Sequence, residues 1–276
     1  MSIIAFVSTL TLELKQDWLR VLKAQCVNET IVLFEDLTPQ QVLQVDIAIV
    51  ANPDVEQMKQ LPNVKWLQSL WAGVEKLAAE SELQHLPIVR LVDDTLAQVM
   101  AEAVLAWTLY LHRNMPAYLS QQLQKKWQQL PYKAPKNQRV SVLGAGELGV
   151  SAINSLVANG FTVNAWSRSE KTIAGVSHFH GEQGLNEVLA ITDILICLLP
   201  LTEKTHYLLN KATLSLLPKG AALINFSRGA ILNSDDLVHL LNTEHLKHAV
   251  LDVFEEEPLP ATCDLWSHAN ITVLPH

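Results

Sequence analysis

Six residues restrict the architecture of this chain more than any other stretch: Gly144-Ala-Gly146-Glu-Leu-Gly149, set directly after the apolar run Val140 to Leu143 and directly before the helix-compatible run Val150 to Ala158. In a strand-turn-helix of this kind the first glycine permits the tight turn and the second lets a pyrophosphate approach the backbone. The third lets the helix pack on the strand, and the amides at the helix start meet the phosphate charge. A further strand candidate, Thr162 to Trp166, follows in order, so the segment reads as a dinucleotide-binding turn and not as a merely structural glycine-rich one.

The rest of the chain supplies the matching frame. Short apolar runs rich in β-branched residues, Ile3 to Val7, Ile31 to Phe34, Asp46 to Val50, Trp66 to Leu70 and Ile88 to Leu91, alternate with stretches of helical spacing such as Leu12 to Ala24 and Asp54 to Gln60. A long helix is expected from about Ala97 to His112, with Leu96, Met100, Val104 and Trp107 on one stripe. Lys125 to Gln138, polar and broken by Pro131 and Pro135, reads as a surface connection. From Arg139 a second series begins, with strand candidates Val140 to Leu143, Thr162 to Trp166, Ile194 to Leu198, Ala221 to Asn225, Ala249 to Val253 and Ile271 to Leu274. The expected fold is therefore α/β, with two doubly wound parallel-sheet domains, residues 1–96 and 97–276, and a ligand held near the strand ends.

Composition narrows the function. With 20 Lys+Arg against 28 Asp+Glu the formal net charge is −8, which argues against nucleic acid, since phosphate neutralisation needs a basic face. The N-terminal run lacks a basic segment ahead of it and reads as a buried strand, not a signal peptide. The most apolar candidate for a membrane span, Val99 to Leu111, is too short and carries Glu102. Cys26, Cys197 and Cys263 form no CxxC pair and read as core thiols of a reducing compartment, so a cytoplasmic protein is expected. Apart from His276 the histidines, His178, His180 and His245 among them, read as surface residues, and their spacing offers no metal set.

At the end of the strand after the glycine turn, an NAD-selective site usually carries Asp or Glu, about 20 residues beyond the turn. Here the residues are Trp166-Ser167-Arg168-Ser169-Glu170-Lys171. Arg168 with Ser167, Ser169 and Lys171 suits a 2′-phosphate, which favours NADP(H). Glu170 in the same turn leaves NAD(H) open, and a solvated basic turn is the bland alternative. Three more segments place polar groups just past strand ends: Ser227-Arg228-Gly229, Asp252 to Glu257-Pro258, and Leu274-Pro275-His276. Arg228, Glu257 and His276 are a cationic anchor, an orienting carboxylate and a proton donor, the set needed to reduce a 2-oxo acid beside a hydride source. Arg228 as a surface ion-pair partner and Glu257 as a solvated charge are the plainer readings.

Taken together, Gly144 to Gly149, Ala190-Ile-Thr-Asp193 leading to Leu199-Pro200-Leu201-Thr202 and Thr205, Ser227-Arg228-Gly229, Asp252 to Pro258 and Leu274-Pro275-His276 resemble the D-isomer-specific 2-hydroxyacid dehydrogenases, in particular their glyoxylate and hydroxypyruvate reductase branch. The resemblance implies a flavodoxin-like substrate domain, a Rossmann cofactor domain and a homodimer. It implies that Arg228 binds the substrate carboxylate and polarises the C2 carbonyl, that His276 protonates the alkoxide, and that Glu257 holds the imidazole. It assigns Asp252 to the nicotinamide carboxamide, Leu148 to the pyrophosphate, and Leu199, Pro200, Thr205 and Ser227 to the cofactor cleft. Ser69-Leu70-Trp71-Ala72-Gly73-Val74 resembles the loop whose amides grip the substrate carboxylate, although Trp71 reads equally well as a core aromatic. The chain departs from the family pattern at Thr95 to Gln98, where relatives often have glycine. It also stops at His276, where relatives continue into a segment that completes the first domain; the natural protein is expected to continue for a few tens of residues. The expected activity is NADPH-dependent reduction of glyoxylate or hydroxypyruvate to glycolate or D-glycerate. The alternatives are a dehydrogenase for phosphoglycerate, formate or a larger 2-oxo acid, and a non-catalytic dinucleotide-sensing protein. A methyltransferase is disfavoured because its chemistry does not call for the Arg, Glu and His set.

Overall fold

The computed structural model describes residues 3–275, and the chain divides between Asp93 and Asp94 into two compact units. In the first, strands β1 (Ile3–Ser8), β2 (Thr30–Leu33), β3 (Val45–Ala51), β4 (Trp66–Ser69) and β5 (Ile88–Val89) form a parallel sheet of order β2-β1-β3-β4-β5. This is the flavodoxin-like order, with its switch between β1 and β3. Side chains of a strand alternate between faces, and β1 shows the consequence. Ala5 and Val7 join Val45, Ala48 and Met58 on one side, while Ile4 and Phe6 join Ile31, Ile49 and Trp18 on the other. Trp18 lies on the helix Leu12–Gln25, which Thr11 caps by accepting from Leu14 N–H.

The second unit holds seven parallel strands: β6 (Arg139–Leu143), β7 (Thr162–Ser167), β8 (Ser177–His180), β9 (Ile194–Cys197), β10 (Ala221–Asn225), β11 (Leu246–Leu251) and β12 (Ile271–Val273). Their order is β12-β11-β10-β9-β6-β7-β8. Because β6 and β9 are central, they are buried on both faces, which is why β9 reads as a continuous apolar run and β6 as an apolar run interrupted by the buried Ser141. Val142, Ile196 and Ile224 face Ala152, Ile153, Leu156 and Val104; Leu195, Leu223 and Leu251 face Leu185, Leu189 and Leu237. Each such Val, Leu or Ile side chain, fully buried, contributes about 1.5–3 kcal/mol. Among the described residues no helix is long and apolar enough to cross a membrane.

The structure corrects several local expectations. The long helix begins at Asp94, not Ala97, and a second helix, Met115–Leu123, follows it. Strand β5 is only Ile88–Val89, and β11 begins at Leu246 and ends at Leu251, earlier than the expected Ala249 to Val253. Strand β8 was not anticipated: Ser177-His-Phe-His has little apolar content, and an edge strand needs little. His112 and His248 are buried, not surface, residues. The His112 ring packs edge-on to Phe161 at 5.2 Å, and His248 Nε2 lies 2.9 Å from Thr272 Oγ1. Burial lowers both pKa values, that of His248 to about 4. Of the three cysteines only Cys197 is fully buried; Cys26 and Cys263 are half-buried.

Candidate active site

In the second unit every strand runs the same way, so the carboxyl ends of β6, β7, β9, β10, β11 and β12 share one edge. The strand order reverses between β6 and β9, and an open doubly wound sheet receives its ligand at that switch.

The glycine turn lies there. Gly144 leaves β6 with φ +108°, and a Cβ on it would stand 2.7 Å from Leu198 O at the exit of β9. A Cβ on Gly149 would stand 1.8 Å from Gly144 O, so the helix Glu147–Ala158 sits against the turn at a distance only glycine allows. At Gly146 a Cβ would meet nothing within 4 Å, and that open side leaves room for a phosphate group. The first helical hydrogen bond runs from Val150 N to Gly146 O. The amides of Glu147, Leu148 and Gly149 therefore precede the hydrogen-bonded ladder, where a helix start favours anions. Glycines and amide donors together fit a dinucleotide pyrophosphate.

Beside it, β7 ends in Ser167, and the turn to Lys171 follows. The Ser167 hydroxyl donates to Ser169 O at 2.8 Å, and Lys171 Nζ donates to Ala145 O, inside the glycine turn, at 2.6 Å. Arg168 and Ser169 are exposed. Across the switch, Leu199 is buried and Pro200 exposed. Thr205 Oγ1 donates to Pro200 O at 2.7 Å and accepts from Thr202 N at 2.8 Å, so its hydroxyl braces this loop.

Past β10 the buried Asn225 organises the next segment. Its Oδ1 accepts from Ser227 N and from Ser227 Oγ, and its Nδ2 donates to Arg228 O. The Ser227 hydroxyl is thereby committed to the interior. Arg228 is half-buried and donates from Nη1 to Ser227 O at 2.6 Å. A Cβ on Gly229 would lie 1.9 Å from the carbonyl carbon of Phe254, so the Arg228 loop rests directly on the segment that carries Glu257. Glu257 Oε1 accepts from Phe254 N at 2.8 Å. Asp252 is half-buried, and its own amide donates to Asn225 O. His276 follows β12 but lies outside the described residues.

The cofactor-turn residues, Leu199, Pro200, Ser227, Arg228, Asp252 and Glu257 thus come together on one edge. Trp71, Ala72, Gly73 and Val74 belong to the other unit, where they form a half-buried loop beyond the carboxyl end of β4. Ser69 Oγ accepts from Trp71 N at 3.0 Å, and Trp71 packs edge-on to Trp18 with ring centroids 6.2 Å apart. Sequence reasoning missed the bond from Lys171 to Ala145, the Asn225 network and the seating of Gly229. None leaves a local pattern, because each is set by a neighbouring strand.

Residues 105–276 match the family model of the D-isomer specific 2-hydroxyacid dehydrogenase NAD binding domain. A glyoxylate/hydroxypyruvate reductase A of Yersinia enterocolitica is 39% identical over 238 residues, covering 84% of this chain and 76% of that protein. A D-isomer specific 2-hydroxyacid dehydrogenase from Xanthobacter autotrophicus, solved with NADPH and MES, superposes with a TM-score of 0.92 at 35% identity, over 100% of this chain and 88% of that one. The NADPH-dependent glyoxylate/hydroxypyruvate reductase of Sinorhizobium meliloti, solved with NADP and sulfate, gives a TM-score of 0.90 at 30% identity, over 100% and 88% of the two chains. With its glycine turn at the switch and its Arg228 and Glu257 loops on one edge, this chain belongs to the D-isomer-specific 2-hydroxyacid dehydrogenase family.

Proposed function

We propose that this protein reduces small 2-oxo acids, glyoxylate and hydroxypyruvate, to the 2-hydroxy acids glycolate and D-glycerate with NADPH. One observation carries the reading: the basic Ser167–Lys171 turn, with Arg168 exposed, stands beside an open glycine turn on the same edge that presents Arg228. The names of the Yersinia and Sinorhizobium relatives support it.

NADPH, when bound, supplies the hydride that C2 of the substrate accepts. Arg228 binds the substrate carboxylate and polarises the C2 carbonyl, where a fixed cation is most effective as negative charge develops on oxygen. His276 gives that oxygen its proton. Glu257, oriented by the Phe254 amide, holds the imidazole in one tautomer and stabilises its charged form. Asp252 would bond the nicotinamide carboxamide, the Leu148 amide would meet the pyrophosphate, and Arg168 and Ser169 would hold the 2′-phosphate, while the Ser167 hydroxyl, its proton given to Ser169 O, braces the turn and does not itself donate to the phosphate. Leu199 and Pro200 line the cleft, with Ser227 and Thr205 keeping its loops in place. In the first unit, Trp71 and the amides of Ala72, Gly73 and Val74 are the groups the proposal assigns to the substrate. Residues 1–96 act as the substrate domain and 97–276 as the cofactor domain.

A homodimer in the cytoplasm completes the proposal. Leu119, Leu123 and Trp127, on and beyond the helix Met115–Leu123, are exposed apolar side chains of the kind a second copy would cover. The free thiols of Cys26, Cys197 and Cys263 suit a reducing compartment.

The test is a cofactor-oxidation panel with glyoxylate, hydroxypyruvate, pyruvate and phenylpyruvate, each with NADPH and NADH. The expected result is turnover of the first two with kcat/KM higher for NADPH. No turnover of any acid, or a preference for NADH, would remove the corresponding part of the proposal.

A further inference from the structure

Strand β8 places His178 beneath the turn that follows β7, with Ala165 as its register partner. Its ring touches both ends of that turn. Nε2 lies 2.8 Å from Ser167 Oγ, and Nδ1 accepts from Lys171 N at 3.4 Å. The Ser167 hydroxyl has one proton, which goes to Ser169 O. The Ser167–His178 bond therefore takes its proton from Nε2, and Nδ1 is left bare for the Lys171 amide. A single neutral tautomer satisfies every partner.

We infer that His178 is a positioning residue for cofactor selection. By fastening Ser167 and Lys171 at once, it holds the intervening Arg168-Ser169-Glu170 in the one turn geometry that presents Arg168 to the 2′-phosphate. This rests on the NADPH reading above. Ordering a free turn costs conformational entropy, and a turn fastened at both ends has met that cost before the cofactor arrives. Lys171 extends the effect, because its Nζ donates to Ala145 O and so ties the turn to the glycine loop. The groups facing the ring keep it neutral on balance. Burial, His180 and Lys171 lower its pKa, and Glu170 opposes them. His180 lies nearly parallel to it, with centroids 6.4 Å apart.

The experiment compares wild type with His178→Leu, which keeps neither bond, and His178→Asn, whose Oδ1 replaces the Nδ1 acceptor. Saturation kinetics are run with NADPH and with NADH, and folding is checked by the thermal transition. A positioning role predicts that His178→Leu raises KM for NADPH about tenfold, the scale of a lost hydrogen-bonded anchor. KM for NADH and kcat should stay within about twofold, with His178→Asn intermediate. A change in KM for NADPH of less than twofold in both variants would overturn the inference, as would a parallel rise for both cofactors. Wild type preferring NADH would instead overturn the cofactor reading and this inference with it.

Discussion

Replacing Asp193 with asparagine tests how the second unit is held at the end of the sheet opposite its site. The Asp193 carboxylate accepts from Arg139 N at 3.0 Å, Arg139 Nη2 at 2.6 Å and Lys133 Nζ at 2.7 Å. Its backbone continues the link: Asp193 N donates to Arg139 O, and Ala222 N donates to Asp193 O. One residue thereby fastens the starts of β6, β9 and β10. Burial alone would raise its pKa, but the bonds from the Arg139 side chain and amide and from Lys133 outweigh burial and bring it from 3.8 to about 2. A depressed carboxyl pKa means that the stabilisation is complete above the unfolded-state value, about 4, and is lost as pH falls through the folded-state value, about 2. The difference corresponds to about 2.5 kcal/mol at pH 7. Because the side chains of Lys133 and Arg139 are 45% and 43% exposed, screening brings this to on the order of 2 kcal/mol. Asn keeps the shape but loses the charge and turns an NH2 toward donors. Urea denaturation should therefore show Asp193→Asn less stable by about 2 kcal/mol at pH 7, with the transition lowered by about 4–8 °C in a thermal scan. The gap should shrink to roughly half near pH 3, where the carboxyl of the unfolded chain is largely protonated while that of the folded protein is still ionised. A gap that stays constant between pH 7 and pH 3, or lies below about 0.5 kcal/mol throughout, would refute the account.

The glycine turn and Arg228, the proposed substrate anchor, give four further expectations. Gly149→Ala should lower the stability of the second unit by about 1–3 kcal/mol, since its Cβ would lie 1.8 Å from Gly144 O. Gly146→Ala should leave the thermal transition nearly unchanged but weaken NADPH binding about tenfold or more, because its Cβ meets no protein atom and enters the space assigned to phosphate; calorimetric titration beside thermal melting separates the two. Arg228→Ala should lower kcat/KM for glyoxylate by roughly a hundred- to a thousandfold while fluorescence titration of NADPH stays close to wild type. Arg228→Lys should recover little of the loss, a point charge being a poor substitute for a bidentate fork.

The periodic elements were legible in the sequence because burial on both faces writes itself into local composition. β9 is central and reads as an unbroken apolar run, and β6 beside it as an apolar run interrupted by the buried Ser141. The glycine turn was legible because each of its three glycines answers a separate constraint. Strand β8 was not, since an edge strand with a half-exposed Ser-His-Phe-His sequence has no apolar signature. For the same reason His178 read as a surface histidine, although a bond to Ser167 makes it part of the cofactor turn. His112 and His248 were misread because a histidine's burial depends on a partner across the fold, Phe161 for one and Thr272 for the other. Arg228 and Glu257 were placed correctly beyond strand ends, but sequence spacing gave no sign that Gly229 seats one loop on the other.

That seating explains how a half-exposed edge keeps a fixed geometry. Ion pairs at a surface contribute little and weaken with salt, so they would be poor supports for groups that must be held to a fraction of an ångström. Here the supports are of another kind. Gly144 brings the exit of β6 against Leu198 O, and Gly229 brings the exit of β10 against the Phe254 backbone. Between these contacts, the buried Asn225 amide satisfies Ser227 and the Arg228 carbonyl. Two pairs of strand exits are thus locked by main-chain contact and buried hydrogen bonds, neither of which ionic strength relaxes. Charged side chains add to this at single points, Lys171 on Ala145 O and Glu257 on the Phe254 amide, while Asp193 fastens the far end of the sheet. The exposed Arg168 and the half-buried Arg228 thus sit on loops seated chiefly by backbone contact and hydrogen bonds to main-chain groups, not by pairing of surface charges.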